Sequence, residues 1–241
     1  MGKFSLYDLL GLLLPGVLFL FFCNVINNLY GFTPTLFGAL NWQINIGITL
    51  CFALIIGATL YASNFYLVQQ KWYNRLLGMY KPVAVLYLKM EFLHQLMNES
   101  LNEKAKEWYG KNIFLNKTGF DNFTAGQQKE TEYLQDEFYD RMYYELEHHG
   151  KIEHPKTFQS FYFFFRQTAL ACILLLLLEV FLFALHFITS LHLNKPDIFT
   201  ALCLGGLLFS ILFVSAQLAQ WYRKRMVMKM YWAYFTHLKQ I

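Results

Sequence analysis

The chain has 241 residues, of which 56% are hydrophobic and only 15% are charged. Soluble domains carry about 25% charged residues, so this composition excludes an ordinary soluble protein. The formal net charge of +4 at pH 7 is also too small for a nonspecific nucleic-acid surface, because such a surface is strongly basic.

Four apolar segments follow one another along the chain, at residues 6–26, 44–67, 168–190 and 199–219. Each is long enough to cross the ~30 Å hydrocarbon core of a bilayer, which takes about 20 helical residues. Lys195 lies in the connector after the third segment. The other 19 of the 20 Lys and Arg lie before the first segment, between the second and third, or after the fourth, which are all on one side of the membrane. Since such residues stay in the cytoplasm, both termini and the long middle segment are expected to face inward.

The sequence therefore predicts an all-α polytopic membrane protein with four transmembrane helices and a helical cytoplasmic domain inserted between the second and third spans. We place the first transmembrane pair at 1–68, the cytoplasmic domain at 69–166 and the second pair at 167–220. Residues 221–241 are predicted to form a basic, aromatic, amphipathic C-terminal helix. Within the cytoplasmic domain, the apolar periodicity predicts helices over 83–109 and 127–149, separated by a loop at 110–126.

The charge of the cytoplasmic domain limits its partners. Residues 69–166 contain 13 Lys and Arg and 13 Asp and Glu, so the domain is formally neutral. We therefore predict no strong nucleic-acid surface. A soluble protein or a small nucleotide is the expected partner of this domain, and no cofactor or metal is predicted.

Small residues and one proline mark places where the spans are expected to pack or bend. Small-xxx-small patterns let membrane helices approach each other closely, and the Pro-Gly pair in the first span predicts a kink. The residues concerned are Pro15, Gly16, Gly57, Ala58, Ala62, Ser63, Gly205, Gly206 and Ser210.

A polar line runs through the third and fourth spans. Glu179 lies near the middle of the third span, and His186 follows two turns later on the same face. Ser210 is predicted to lie at the depth of Glu179, with Gln217 two turns further along the fourth span. This polar seam (Glu179, His186, Ser210 and Gln217) has two interpretations. It lines an ion path or a proton-sensitive gate, or a protonated Glu179 fixes helix packing by a hydrogen bond to Ser210 or to a backbone carbonyl.

Two clusters of aromatic and basic residues flank the second pair of spans, where the cytoplasmic membrane interface is expected. Trp and Tyr prefer the headgroup region, and Arg and Lys there attract anionic lipid. The alternative is that the C-terminal segment packs against the cytoplasmic domain. The predicted interface residues are Phe161, Phe165, Arg166, Trp221, Tyr222, Arg223, Lys224 and Arg225.

Catalytic candidates are few. Arg141 and His148 are separated by six residues on a predicted helix, a spacing that resembles the Arg-x(4–6)-His element of HEPN ribonucleases. Met142 stands where that family carries a polar residue. The alternative is an ordinary ion pair of Arg141 with Glu145 beside a helix-terminal histidine. A metal site built from Glu145, His148, His149 and His154 is a further alternative.

The layout of the chain resembles small membrane proteins of bacterial antiviral defence loci. The resemblance rests on the N-terminal pattern Tyr7-Asp8-Leu9-Leu10-Gly11-x3-Pro15-Gly16, the long second span, the helical insert and the aromatic-Arg entry to the third span. The accessory membrane proteins of type VI-B CRISPR systems and the channel effectors gated by nucleotide signals are of this kind. The resemblance implies a homo-oligomeric effector of the inner membrane that disturbs the bilayer. A membrane scaffold that recruits a soluble partner is the alternative.

The predicted topology can be tested with three glycosylation sequons of the middle segment, which begin at Asn98, Asn116 and Asn122. Because this segment is expected in the cytoplasm, translation into microsomes should leave all three unmodified. The measurement is a glycosidase-sensitive change in mass. A sequon engineered into the 27–43 connector serves as the positive control, and modification of the native sites would reverse the topology.

Overall fold

The computed structural model of the chain describes residues 9–31, 46–78, 81–115, 117–188 and 197–240. These residues are mostly helical and contain no strand. Four helices are long and apolar enough to cross a membrane: Leu9–Tyr30, Ile46–Val68, Glu153–Leu185 and Ile198–Leu238. The prediction of an all-α membrane protein with four spans is confirmed. Tyr7 and Asp8 of the N-terminal pattern, Asn116 and Lys195 lie outside the described residues.

The helices are numbered here in chain order. A π-helical turn at Leu9–Leu13 leads directly into the first helix, and Pro15 lies in the first turn of that helix, where proline is tolerated. The kink expected at the Pro-Gly pair stays a prediction. The helices are α1 (Leu14–Tyr30), α2 (Ile46–Val68), α3 (Lys71–Leu77), α4 (Val83–Leu88), α5 (Glu91–Tyr109), α6 (Lys117–Asp121), α7 (Ala125–His148), α8 (Glu153–Ile188) and α9 (Ile198–Leu238).

The chain divides into two compact units. The spanning unit comprises Met1–Met79 and Ser160–Gln220, and the helical unit comprises Tyr80–Gln159 and Trp221–Ile241. The four apolar segments thus fall within the spanning unit. The helical unit contains the inserted segment and also residues 221–241, which were predicted as a separate helix.

Two glycines allow the first two spans to pack at backbone distance. A Cβ added to Gly16 would lie 1.8 Å from the carbonyl oxygen of Ala53, and one added to Gly57 would lie 1.8 Å from that of Leu12. No side chain fits at either position, because 1.8 Å is far inside van der Waals contact. Gly57 therefore serves a contact within the chain, whereas Ala58, Ala62 and Ser63 of the same small-residue pattern are exposed.

The remaining core of the spanning unit forms between α1, α8 and α9. Over the most apolar stretch of each helix, 44% of the residues of α8 are buried, against 22% of those of α2 and of α9. Helix α8 is therefore more enclosed than these two. Gln220 of α9 also donates a hydrogen bond from Nε2 to the carbonyl oxygen of Leu77 at 2.9 Å, which closes the end of α3. The buried apolar residues are Phe22, Cys23, Ile26, Tyr30, Cys172, Leu175, Leu182, Leu204 and Leu208.

The last five turns of α9 supply part of the hydrophobic core of the helical unit. Tyr231 and Tyr234 are fully buried there, and the Tyr87 ring lies 5.1 Å from that of Tyr231. This burial supports the alternative in which the C-terminal segment packs within the helical domain. Its other core residues include Val83, Met97, Leu101, Phe114, Phe138, Met142, Leu146, Met226, Val227 and Met230.

A carboxylate from α7 caps α4. The backbone N–H of Val83 donates to Oδ1 of Asp136 at 3.1 Å, which satisfies one of the free donors at the start of the helix. Burial raises the pKa of Asp136, while this hydrogen bond and the charge of Arg223 oppose the rise. Arg223 is itself buried at 8% exposure, so its positive charge lies inside the helical unit, where it favours the ionised form of Asp136.

Several predicted helix limits are corrected. The helix predicted over 83–109 is interrupted at Lys89 and Met90. The helix predicted to begin at 127 begins at Ala125, because Thr124 and Gln127 form a capping box at its start. Helix α6 lies within the predicted loop at 110–126.

The close approach of the first two spans predicts a position-specific effect of alanine. Gly57→Ala should lower the stability of the spanning unit by about 2 kcal/mol, because the methyl group overlaps a backbone carbonyl that cannot move aside. Gly47→Ala in the same helix is the matched control, since no atom lies within 4 Å of its added Cβ. Thermal unfolding in detergent measures both, and equal melting temperatures would refute the close contact.

Candidate functional site

Arg166 is the charged residue buried most completely in the spanning unit. Its side chain is 3% exposed, and its guanidinium carbon lies 5.2 Å and 4.7 Å from the ring centres of Tyr162 and Phe163. Among the described residues, Nε and Nη2 have no hydrogen-bond partner. Contact with aromatic rings stabilises the cation, yet a buried charge without a carboxylate is costly.

Further polar groups surround the backbone of Arg166 and form with it a polar cluster (Asn64, Tyr73, Arg166 and Gln167). Asn64 donates from Nδ2 to the carbonyl oxygen of Arg166 at 2.7 Å, and the Tyr73 hydroxyl lies 3.5 Å from Oδ1 of Asn64. Burial raises the pKa of Tyr73, and the charge of Arg166 opposes the rise. Gln167 is fully buried, and neither polar atom of its side chain is hydrogen-bonded within the described chain.

Three members of the polar cluster were missed in the sequence. Asn64 was the available signal, because an amide within an otherwise apolar span is rarely turned toward lipid. Gln167 could have been noticed for the same reason, as it directly follows Arg166 at the entry to the third span. Only the structure brings α2, α3 and α8 together at these residues.

Glu179 is buried among the helices of the spanning unit, at 6% exposure. It faces Gly205 of α9, where an added Cβ would lie 3.4 Å from Oε2. Tyr30, at the end of α1, is also fully buried in the spanning unit. This placement favours the helix-packing interpretation of Glu179 within one chain. His186 lies in α8, but its side chain is outside what the structure describes.

The rest of the predicted polar seam lies on another face. Ser210 and Gln217 are exposed, and Ser210 donates from Oγ to the carbonyl oxygen of Gly206 at 2.8 Å. The expectation that Ser210 faces Glu179 is therefore wrong. Ser210 follows Gly205 by five residues, which turns it about 140° around the helix.

The predicted interface residues have unequal environments. Trp221, Lys224 and Arg225 are exposed, with the Arg225 guanidinium 5.1 Å from the Trp221 ring. Phe161, Phe165 and Tyr222 are half-buried, whereas Arg166 and Arg223 are buried. Two of the four basic side chains assigned to lipid are thus enclosed by protein.

Arg141 and His148, the alternative catalytic pair on α7, contact different neighbouring residues. Arg141 pairs with Glu137 at 2.8 Å and lies 5.2 Å from the ring centre of Tyr109, so the predicted Arg141–Glu145 pair is wrong. His148 is exposed, with its ring 5.3 Å from that of His149. In the described part of the chain, no three or more His, Cys, Asp or Glu side chains form a group that could hold a metal ion.

No family model, curated protein sequence or solved structure matches the chain.

The polar cluster predicts an unusual response to removal of a charge. Arg166→Met should leave the melting temperature unchanged or stabilise the protein by about 1–3 kcal/mol, because it removes a buried charge and donors that lack partners. Arg166→Lys keeps the charge but loses the planar contact with the rings, and is expected to melt lower than Arg166→Met. A large loss of stability in Arg166→Met alone would show that the guanidinium has a binding partner.

Proposed function

We propose that this membrane protein is the subunit of a homo-oligomeric channel of the bacterial inner membrane, assembled through α9 and controlled by the helical unit. One observation carries the proposal: three polar residues that recur every seven residues lie on a side of α9 that is turned away from its own chain. Cys203, Ser210 and Gln217 are all exposed on that side.

Lipid alone does not satisfy the hydrogen-bonding groups of these exposed side chains. Polar side chains within membrane helices face a bundle interior or a water-filled path, because hydrocarbon offers them no hydrogen bonds. Ser210 satisfies its own donor within the helix, but the amide of Gln217 cannot do so in the same way. A second copy of α9, with or without water between the copies, would cover this side.

Gly206 supports an approach by another helix. It lies one turn before Ser210, and no atom lies within 4 Å of a Cβ added there. Gly16 and Gly57, by contrast, are occupied by contacts within the chain. A glycine that the chain's own packing does not need, beside a serine at i+4, is the arrangement that permits two membrane helices to pack closely.

The flanks of this side fit a lipid boundary. Leu202, Phe209 and Phe213 are 70%, 63% and 60% exposed, and such large apolar side chains are suited to hydrocarbon. The polar residues therefore form a narrow stripe within an apolar surface. The resemblance to membrane proteins of defence loci adds the proposal that the channel acts in antiviral defence.

The proposal is tested by one substitution and its matched control. Ser210→Leu should shift the protein to smaller assemblies in nanodiscs and lower ion flux in liposomes at least tenfold, because the larger side chain blocks close approach. Thr59→Leu removes a hydroxyl of the same kind, exposed and bonded to the carbonyl oxygen four residues earlier at 2.9 Å. This control should keep both properties.

A third variant separates the two interpretations of the polar seam. Since Glu179 is buried against Gly205, Glu179→Gln is expected to preserve assembly and ion selectivity. Altered selectivity would instead place Glu179 on the conducting path. A wild-type protein that is monomeric in nanodiscs and conducts no ions would refute the channel.

A further inference from the structure

The helical unit contains an open groove of about 420 Å³ between the start of α8 and the end of α9. Its described lining includes two lysines and two histidines and no carboxylate. The groove is within the size range of small-ligand sites, about 300–1,000 Å³. The charged, polar and ring-bearing residues of this lining include Lys151, His154, Lys229, Trp232, His237 and Gln240.

Lys151 is held at the groove by neutral acceptors. Its Nζ lies 3.1 Å from Nδ1 of His237 and 2.7 Å from Oε1 of Gln240. Because an ammonium group only donates, Nδ1 of His237 must accept and the ring proton must lie on Nε2. No carboxylate among the described residues pairs with Lys151, so its charge remains available to an anion.

His237 is held at the groove by burial. It is 3% exposed, and its Nε2 lies 3.4 Å from Oε1 of Glu145, with no hydrogen bond to that atom. The other carboxylate oxygen of Glu145 accepts a 2.9 Å hydrogen bond from the Tyr234 hydroxyl. The interior side of the ring therefore faces a carboxylate that is anchored by Tyr234, while Nδ1 on the opposite side contacts Lys151.

Two further sources of positive charge border the groove. Lys229 lines it from α9, and in the described chain no acidic side chain forms an ion pair with it. Lys151 and His154 flank the amino end of α8, where the helix dipole favours an anion. The first turn offers few backbone donors, because Pro155 has no N–H and the Lys156 N–H donates to the carbonyl oxygen of Ile152 at 3.0 Å. Glu153 also lies in this first turn, but it is not part of the described lining.

We propose that this groove binds a small phosphate-bearing ligand, with Lys151 and Lys229 as its charged contacts. The Trp232 side chain lines the same groove, so a ligand that also carries a planar ring gains an apolar contact. The proposal goes beyond channel activity, because binding can be measured in a protein that conducts no ions.

The experiment measures binding of pyrophosphate and of ATP to the full chain in detergent by calorimetry. Lys151→Met and Lys229→Met should each weaken binding of both probes about tenfold, the effect of one charge-assisted contact. Trp232→Leu should weaken ATP and leave pyrophosphate unchanged if the ring stacks. The control is Lys239→Met, since Lys239 lies 4.5 Å from the Phe235 ring centre and outside the described lining.

The source of the phosphate is resolved by repeating the titration in nanodiscs. Equal binding in neutral and anionic nanodiscs identifies a soluble ligand. Loss of soluble-probe binding in anionic nanodiscs, with lipid retained by the wild type and not by the two lysine variants, identifies a lipid headgroup. The proposal is overturned if no probe and no lipid depends on Lys151 and Lys229, or if Lys239→Met weakens binding equally. Melting curves of all variants exclude misfolding as the cause.

Discussion

Hydrocarbon cannot form hydrogen bonds, and the architecture of the spanning unit follows from that constraint. Each backbone N–H and C=O within the bilayer must be satisfied inside its own segment, so the apolar segments are helices. Polar side chains in these helices must then find partners in other helices or in water. Arg166, Glu179 and Gln217 represent three outcomes: enclosure by aromatic rings, burial against a neighbouring helix, and exposure at the surface of the chain.

Packing without a hydrophobic driving force explains how glycine is used. Helices in lipid associate through van der Waals contact, so close approach matters more than apolar area. Gly16 and Gly57 provide that approach between α2 and the segment containing Leu12 and α1. Gly205 makes room for the Glu179 carboxyl, while Gly206 has no such role inside the chain. This difference between two adjacent glycines is the physical basis for proposing that Gly206, unlike Gly205, serves assembly.

The helical unit follows the rules of soluble proteins. Its core is rich in aromatic residues, and residues of α4, α5, α7 and the end of α9 meet in it. Charged residues there have specific structural roles, as with Asp136 at the start of α4 and Glu145 behind His237. The lysines of the groove differ from these, because they have no acidic partner among the described residues. That local excess of positive charge, from Lys151 before α8 and Lys229 on α9, is the basis for proposing an anionic ligand.

The sequence by itself determined the number of spans and the all-helical class, because apolar length is a local property that needs no knowledge of neighbours. It also identified Glu179 as a demanding residue, but it assigned Arg166 to the lipid interface. It could not determine which face of α9 meets Glu179, since that depends on how α8 and α9 are rotated against each other. Nor could it pair Asn64 with Arg166, which are 102 residues apart, or place the end of α9 in the core of the helical unit. Those contacts depend on how separate helices pack, and only the tertiary structure decides them.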